Sequence, residues 1–107
     1  MMQTYDAIVI GAGVMGASIA FHLAERGLQT AILERKVTAS GATGHSSGLV
    51  RMHYDLAAES ELTFASYKNY FGNWKERVGG ECGFINTGFL QVAKREHEGK
   101  LRGNVAN

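Results

Sequence analysis

Tyr5-Asp-Ala-Ile-Val-Ile-Gly11-Ala-Gly13-Val-Met-Gly16 decides how the rest of this chain is read. Residues 5–10 form a short apolar run of strand formers that stops at Gly11, the pattern of a strand buried on both faces of a parallel sheet. From Val14 to Arg26 the spacing predicts a helix rich in small residues (Gly16, Ala17, Ala20, Ala24), with Arg26 in its last turn and Gly27 just beyond. Residues 29–33, Gln-Thr-Ala-Ile-Leu, predict a second buried strand that ends on Glu34. Strand, helix and strand within about 30 residues make a βαβ unit with parallel strands.

Gly11-Ala12-Gly13-Val14-Met15-Gly16 is a G-x-G-x-x-G loop between that strand and that helix, and each glycine has its own physical task. Gly11 allows the tight turn out of the strand, Gly13 removes a Cβ that would block a pyrophosphate, and Gly16 lets the helix lie against the strand. Unpaired backbone N–H groups and the positive end of the helix dipole then favour an anion. Glu34 follows Gly11 by 23 residues, near the spacing of about 20 expected for the acid that binds ribose. Its carboxylate can accept both ribose hydroxyl hydrogens and repels a 2′-phosphate, which disfavours NADP. FAD and NAD share this fingerprint, so both stay open on these residues alone.

Composition excludes several classes. The 107 residues are 45% hydrophobic and 20% charged, the balance of a globular chain rather than a disordered one. Eleven Lys+Arg against ten Asp+Glu give a net charge of +1 with the basic residues scattered, so no nucleic-acid or anionic-membrane surface is expected. The single cysteine, Cys82, has no partner at disulfide, metal or redox spacing and is read as a plain thiol in a reducing, cytoplasmic setting. The apolar stretch 7–21 lacks a basic flank, is broken by three glycines and is shorter than the roughly 20 residues a bilayer needs, so no targeting segment or membrane span is expected.

Beyond Glu34, residues 35–48 are dense in Thr, Ser and Gly, an ordered-loop composition. Asp55 is placed to cap a long helix reaching about Val78, with Phe64, Tyr67, Phe71, Trp74 and Val78 along one face as core packing. Gly79-Gly80 ends that helix. Residues 84–85 and 87–93 predict two short strands around a turn, and residues 95–107 have helical propensity. The expected organisation is residues 1–54 as the βαβ unit with the loop that follows it, 55–80 as the long helix, and 81–107 as the start of further strands and a helix cut short. His22 is expected on the helix surface and His97 in the charged tail. For His53, burial in the fold is preferred over catalysis. No acid–base dyad, triad or metal cluster is read.

The segment from Glu34 to Tyr54, Glu-Arg-Lys-Val-Thr-Ala-Ser-Gly-Ala-Thr-Gly-His-Ser-Ser-Gly-Leu-Val-Arg-Met-His-Tyr, resembles the D-amino-acid oxidase/sarcosine oxidase superfamily of FAD enzymes. Its nearest likeness there is the branch of sarcosine oxidase β subunits and the sarcosine and dimethylglycine dehydrogenases. The aromatic helix and the stretch Phe84-Ile-Asn-Thr-Gly-Phe-Leu90 also look familial, so the resemblance covers nearly the whole chain. It implies FAD rather than NAD, and a Rossmann-like α/β unit followed by a long helix and a short β pair, incomplete relative to the full family fold. It places Arg35, Ser40, Gly41, Thr43, Gly44 and Ser46 along the cofactor, with Gly11 to Gly16 and Glu34. Arg51 falls where relatives hold an arginine on the substrate carboxylate, a task its planar fork of donors suits. His45 falls beside the flavin. In the dehydrogenase branch a histidine there carries a covalent flavin link, but that branch usually has tryptophan before it, where this chain has Gly44. A non-covalent neighbour of the flavin is therefore the preferred reading.

The resemblance implies oxidation of a C–N bond beside a carboxylate, in a secondary or tertiary amino acid such as sarcosine, to an imine that water hydrolyses. Family members run to several hundred residues, so this chain is expected to be the amino-terminal part of such an enzyme. Two alternatives are kept: a non-catalytic dinucleotide-binding fragment that associates with copies or a partner subunit through its unfinished sheet edge, and an NAD-dependent dehydrogenase domain.

Overall fold

The structure, a computed structural model, describes residues 2–106. The chain divides into two compact units, Met1–Leu49 and Val50–Asn107.

In the first unit, strand β1 (Ala7–Ile10), helix α1 (Val14–Glu25) and strand β2 (Thr30–Leu33) follow in the expected order. β1 and β2 pair in parallel with Ala7 opposite Thr30 and Ile10 opposite Leu33. The pairing runs past both ends of the strands, because Gly11 N–H donates to the Leu33 carbonyl at 2.8 Å and Asp6 N–H to that of Gln29 at 2.9 Å. The Asp6 carboxylate in turn accepts from Gln29 N–H at 2.8 Å, closing the far end. Helix α1 stops where predicted. Arg26 and Gly27 amides reach back to the Leu23 and Ala24 carbonyls, and Gly27 has φ +83°, the left-handed conformation that suits glycine.

Burial departs from expectation. Ala12 and Ala20 are the buried hydrophobic residues, while Ile8 is 59% and Ile10 87% exposed. Alternate side chains of a strand point to opposite faces, so Val9 meets α1 and the face of Ile8 and Ile10 stands bare. One helix covers one face of a sheet; a strand buried on both sides needs a second layer.

The second unit holds helices α2 (Ala57–Asn69), α3 (Trp74–Arg77) and α4 (Glu98–Ala106), with 3-10 turns at Phe71–Asn73 and Arg95–His97. The long helix predicted to Val78 is thus broken at Tyr70, whose φ and ψ are −130° and −68°. Asn69, Tyr70, Phe71, Gly72 and Asn73 are consecutive weak helix formers, and the hydrogen bonding tightens there to Asn73 N–H on the Tyr70 carbonyl. Part of the aromatic stripe still packs, with Phe84 5.3 Å from Phe71 and 6.1 Å from Tyr67, centroid to centroid, while Phe64 and Val78 are exposed.

Asp55 does not cap α2. The N-cap position is Leu56, without a side-chain bond, while the Asp55 carboxylate holds Lys100 Nζ at 3.1 Å and Asn104 Nδ2 at 2.6 Å. These partners on α4 hold the Asp55 carboxyl below its ordinary value, the Lys100 hydrogen bond foremost. Residues 84–93 form no strand among the described residues, and Ile85, Leu90 and Val92 are exposed. An isolated strand pair has too little packing to persist without a further layer.

Among the described residues no helix is long and apolar enough to cross a membrane, and no group of three or more His, Cys, Asp or Glu side chains is placed to hold a metal ion. Cys82 is a free, exposed thiol.

Candidate functional site

The first unit gathers most of the predicted site residues around the turn from β1 into α1. Gly11 has φ +100°, a conformation that L side chains rarely adopt, and so redirects the chain sharply at the strand end. At Gly16 a Cβ would collide with the Gly11 carbonyl oxygen, which is how closely α1 approaches the strand. A Cβ on Gly13 would lie 3.0 Å from the Thr43 hydroxyl oxygen, so here the missing side chain makes room for Thr43.

Three hydrogen bonds draw distant residues onto this turn. Ala12 N–H donates to Glu34 Oε2 at 2.9 Å, Val14 N–H donates to Thr43 Oγ1 at 3.0 Å, and Ala39 N–H donates to the Ala12 carbonyl at 2.9 Å. Glu34 stands at the end of β2, and its second oxygen accepts from Lys36 N–H at 2.9 Å. The two amides, Ala12 before Lys36, hold the Glu34 carboxyl below its ordinary value against the opposing effect of desolvation. Glu34 is therefore a pure acceptor at neutral pH.

Residues 36–48 fold as successive tight turns over the same place. Gly44 and His45 amides both bond the Gly41 carbonyl, Ser40 N–H bonds that of Val37, and Ser46 N–H that of Thr43. Gly44 passes so near the Ala39 carbonyl oxygen that a Cβ would collide with it. Between this loop, Gly13 and the start of the segment after β2 lies a cavity of about 220 Å³, walled by Gly13, residues 34–36 and residues 39–43.

Of the residues singled out in the sequence, Gly13, Glu34, Arg35, Ser40, Gly41 and Thr43 line this cavity together. Gly11, Ala12 and Gly16 shape the turn beside it. Val14 and Met15 open α1, with side chains 63% and 72% exposed. Gly44, His45 and Ser46 lie just past the cavity wall, His45 with an exposed side chain. Arg51 belongs to the second unit, where its guanidinium carbon sits 4.8 Å over the Tyr54 ring centroid. His53, half-buried, stacks at 5.7 Å on Phe89 and keeps a buried Nε2 without a hydrogen-bond partner. His22 pairs with Glu25 at 3.2 Å on the surface of α1.

Lys36, Ala39 and Ala42 also line the cavity and were not singled out in advance. Lys36 had a signal in its place beside Arg35, just after Glu34. Ala39 had none, because its left-handed φ of +62° is a conformation that sequence normally announces with glycine.

The recess suits part of a dinucleotide. A turn with a left-handed glycine, a helix N-terminus and an ionised carboxylate within hydrogen-bond reach of the same turn matches the chemistry of a ribose and its adjoining phosphates.

Comparison with known proteins gives the same direction. The chain is similar to the glycine oxidase of Geobacillus kaustophilus (strain HTA426), 29% identical over 104 residues, covering 92% of this chain and 28% of that protein. It is 32% identical over 107 residues to the glycine oxidase of Bacillus licheniformis, again 92% of this chain and 28% of the relative. With the mitochondrial sarcosine dehydrogenase of Homo sapiens it shares 33% identity over 92 residues, 85% of this chain and 10% of the relative. The chain thus spans well under a third of each of these proteins. No solved structure matches it. Residues 6–107 match the family model described as FAD dependent oxidoreductase, and the chain therefore belongs to that family, whose cofactor is FAD.

Proposed function

We propose that this chain holds the adenosine and pyrophosphate end of FAD for an enzyme that oxidises the C–N bond of a small amino acid, glycine or an N-methylated derivative such as sarcosine. The observation that carries the reading is the bond from Ala12 N–H to Glu34, which sets the ribose acid against the glycine turn. Glu34 accepts the ribose hydroxyls. The amides at the start of α1 other than that of Val14, which Thr43 holds, receive the pyrophosphate, and residues 40–46 follow the cofactor toward its flavin. His45 is a polar neighbour of the ring system, and Arg51 binds the substrate carboxylate through its fork of donors. Bound FAD supplies the two-electron acceptor for oxidation of the C–N bond to an imine, which water then hydrolyses. The names of the relatives, glycine oxidase and sarcosine dehydrogenase, support this substrate class. The bare face of Ile8 and Ile10 favours association with further polypeptide, and the lone exposed thiol of Cys82 suits a reducing compartment such as the cytoplasm.

Titration of the purified protein with FAD, ADP and NADH tests the cofactor reading: FAD and ADP bind saturably and NADH more weakly. Anaerobic addition of glycine, sarcosine, dimethylglycine or proline to the flavin-loaded protein then bleaches the yellow absorbance. Flavin binding without bleaching by any of these amines supports a non-catalytic fragment instead. Tight NADH binding with no flavin spectrum overturns the FAD reading in favour of a nicotinamide dehydrogenase. Mass spectrometry of denatured, flavin-loaded protein decides whether His45 carries a covalent link.

A further inference from the structure

We propose that Tyr54 is a positioning residue for Arg51, holding its guanidinium by the face of the phenol ring so that the N–H edges stay free for a substrate carboxylate; this rests on the reading of Arg51 given above. The Arg51 guanidinium carbon lies 4.8 Å over the Tyr54 ring centroid, within the range of a cation–π contact. Among the described residues the ring is the partner the structure gives this side chain: no carboxylate pairs with it. That choice of partner has a chemical consequence. An acidic side chain would occupy the in-plane N–H fork, the same edge a substrate carboxylate needs, and would have to be displaced on binding. An aromatic face attracts the cation without accepting those N–H groups, so holding the arginine and binding a carboxylate are compatible.

Tyr54 is suited to serve as the fixed half of the pair. It is half-buried, whereas Arg51 is exposed. Its backbone carbonyl accepts from Ser60 Oγ at 3.4 Å, and Ser60 lies in the first turn of α2, tying the segment that bears the ring to a helix. A flexible, rotamer-rich side chain is thereby partly ordered before the ligand arrives, which lowers the entropy lost on binding.

The test uses the full chain labelled with 15N, following the backbone amide resonances of residues 51–54, with the Arg51 Nε–H where that side chain is present, during titration with sodium acetate and with sarcosine. Wild type binds both saturably, and Arg51→Met abolishes the saturable response. Tyr54→Phe keeps the ring face and binds within about twofold of wild type, Tyr54→Trp binds as well or more tightly, and Tyr54→Leu binds roughly two- to fivefold more weakly, the worth of an exposed cation–π contact. Affinity for ADP stays level across the series, which separates loss of positioning from loss of fold. If Tyr54→Leu does not fold, the order of Trp, Tyr and Phe still decides, since a hydroxyl-dependent role would weaken Phe and Trp alike. Carboxylate binding by Tyr54→Leu equal to wild type, or by Tyr54→Phe as weak as Leu, overturns the proposal. Equal binding by wild type and Arg51→Met overturns instead the reading of Arg51 on which it stands.

Discussion

The backbone amide of Ala12 and the carboxylate of Glu34, 22 residues apart, meet at 2.9 Å. This bond joins the end of β2 to the turn after β1, so the glycine turn and the Glu34 carboxylate behave as one preorganised unit rather than two neighbouring features. Ala12 is also among the buried residues of the chain, and its amide would be costly to leave without an acceptor.

Glu34→Ala removes both the proposed acceptor for ribose and the anchor of the turn. FAD and ADP affinity should each fall roughly tenfold or more, as expected for a hydrogen bond to a charged group. Glu34→Gln keeps an acceptor for the Ala12 amide but loses the charge, and should fall between. It should also bind NADP+ better relative to NAD+ than wild type does, since the repulsion of a 2′-phosphate is gone. Calorimetric titration with the four ligands measures this. Equal FAD affinity in wild type and Glu34→Ala would remove Glu34 from the site.

Glycines in this chain divide sharply by what surrounds them. A Cβ on Gly16 would collide with the Gly11 carbonyl, a backbone atom that cannot swing aside. Gly16→Ala should cost about 1–3 kcal/mol through forced separation of α1 from β1. Gly103 lies within α4, and nothing surrounds the place of its missing Cβ. Gly103→Ala should stabilise by about 0.5–1 kcal/mol through helix propensity and a stiffer unfolded chain. Urea unfolding of the two variants, monitored by circular dichroism, should shift in opposite directions.

That contrast also explains how much could be foreseen. The βαβ unit was legible because its periodicity, its glycines and Glu34 all specify local geometry within one short segment. The meeting of Thr43 with Val14 N–H was half visible: the loop's composition pointed to the cofactor, but nothing in it told which hydroxyl would reach α1. Asp55 shows the limit. Its place before an apolar run is that of an N-cap, yet Lys100 and Asn104, 45 and 49 residues later, compete for the same oxygens. The break at Tyr70 and the lost strand pair at residues 84–93 have a similar cause. Local propensity there is weak, so the outcome depends on what packs against the segment.

Thr43 Oγ1 takes an N–H group that the first turn of α1 cannot satisfy internally. Thr43→Val keeps the shape and removes the acceptor. The chain should lose about 1 kcal/mol, the usual worth of a side-chain cap at a helix start, and Thr43→Ser should recover most of it. Hydrogen exchange at the Val14 amide should quicken in the Val variant and stay near wild type in the Ser variant. Unchanged exchange in Thr43→Val would mean that water serves this amide as well as the hydroxyl does.

Acid should loosen the turn at Glu34 before it unfolds the rest of the first unit. Amide bonds from Ala12 and Lys36 stabilise the ionised carboxylate, so Glu34 titrates below its ordinary value of 4.5 in the folded chain. The unfolded chain then takes up the proton first as pH falls, and its stability relative to the folded chain rises accordingly. The contribution of Glu34 is complete above about pH 4.5 and is lost progressively below it, as pH passes down through the folded value. Asp55 follows the same sign from a lower ordinary value of 3.8, because Lys100 and Asn104 favour its charged form in the second unit. A local probe separates the two. Exchange protection of the Ala12 amide should decline as pH drops below 4.5, after correction for the intrinsic pH dependence of exchange, and Glu34→Gln should abolish that decline while leaving the acid sensitivity of α4 intact. Protection at Ala12 that ignores pH all the way down to acid unfolding of the first unit in wild type would show that the carboxylate is not the acceptor of that amide in solution.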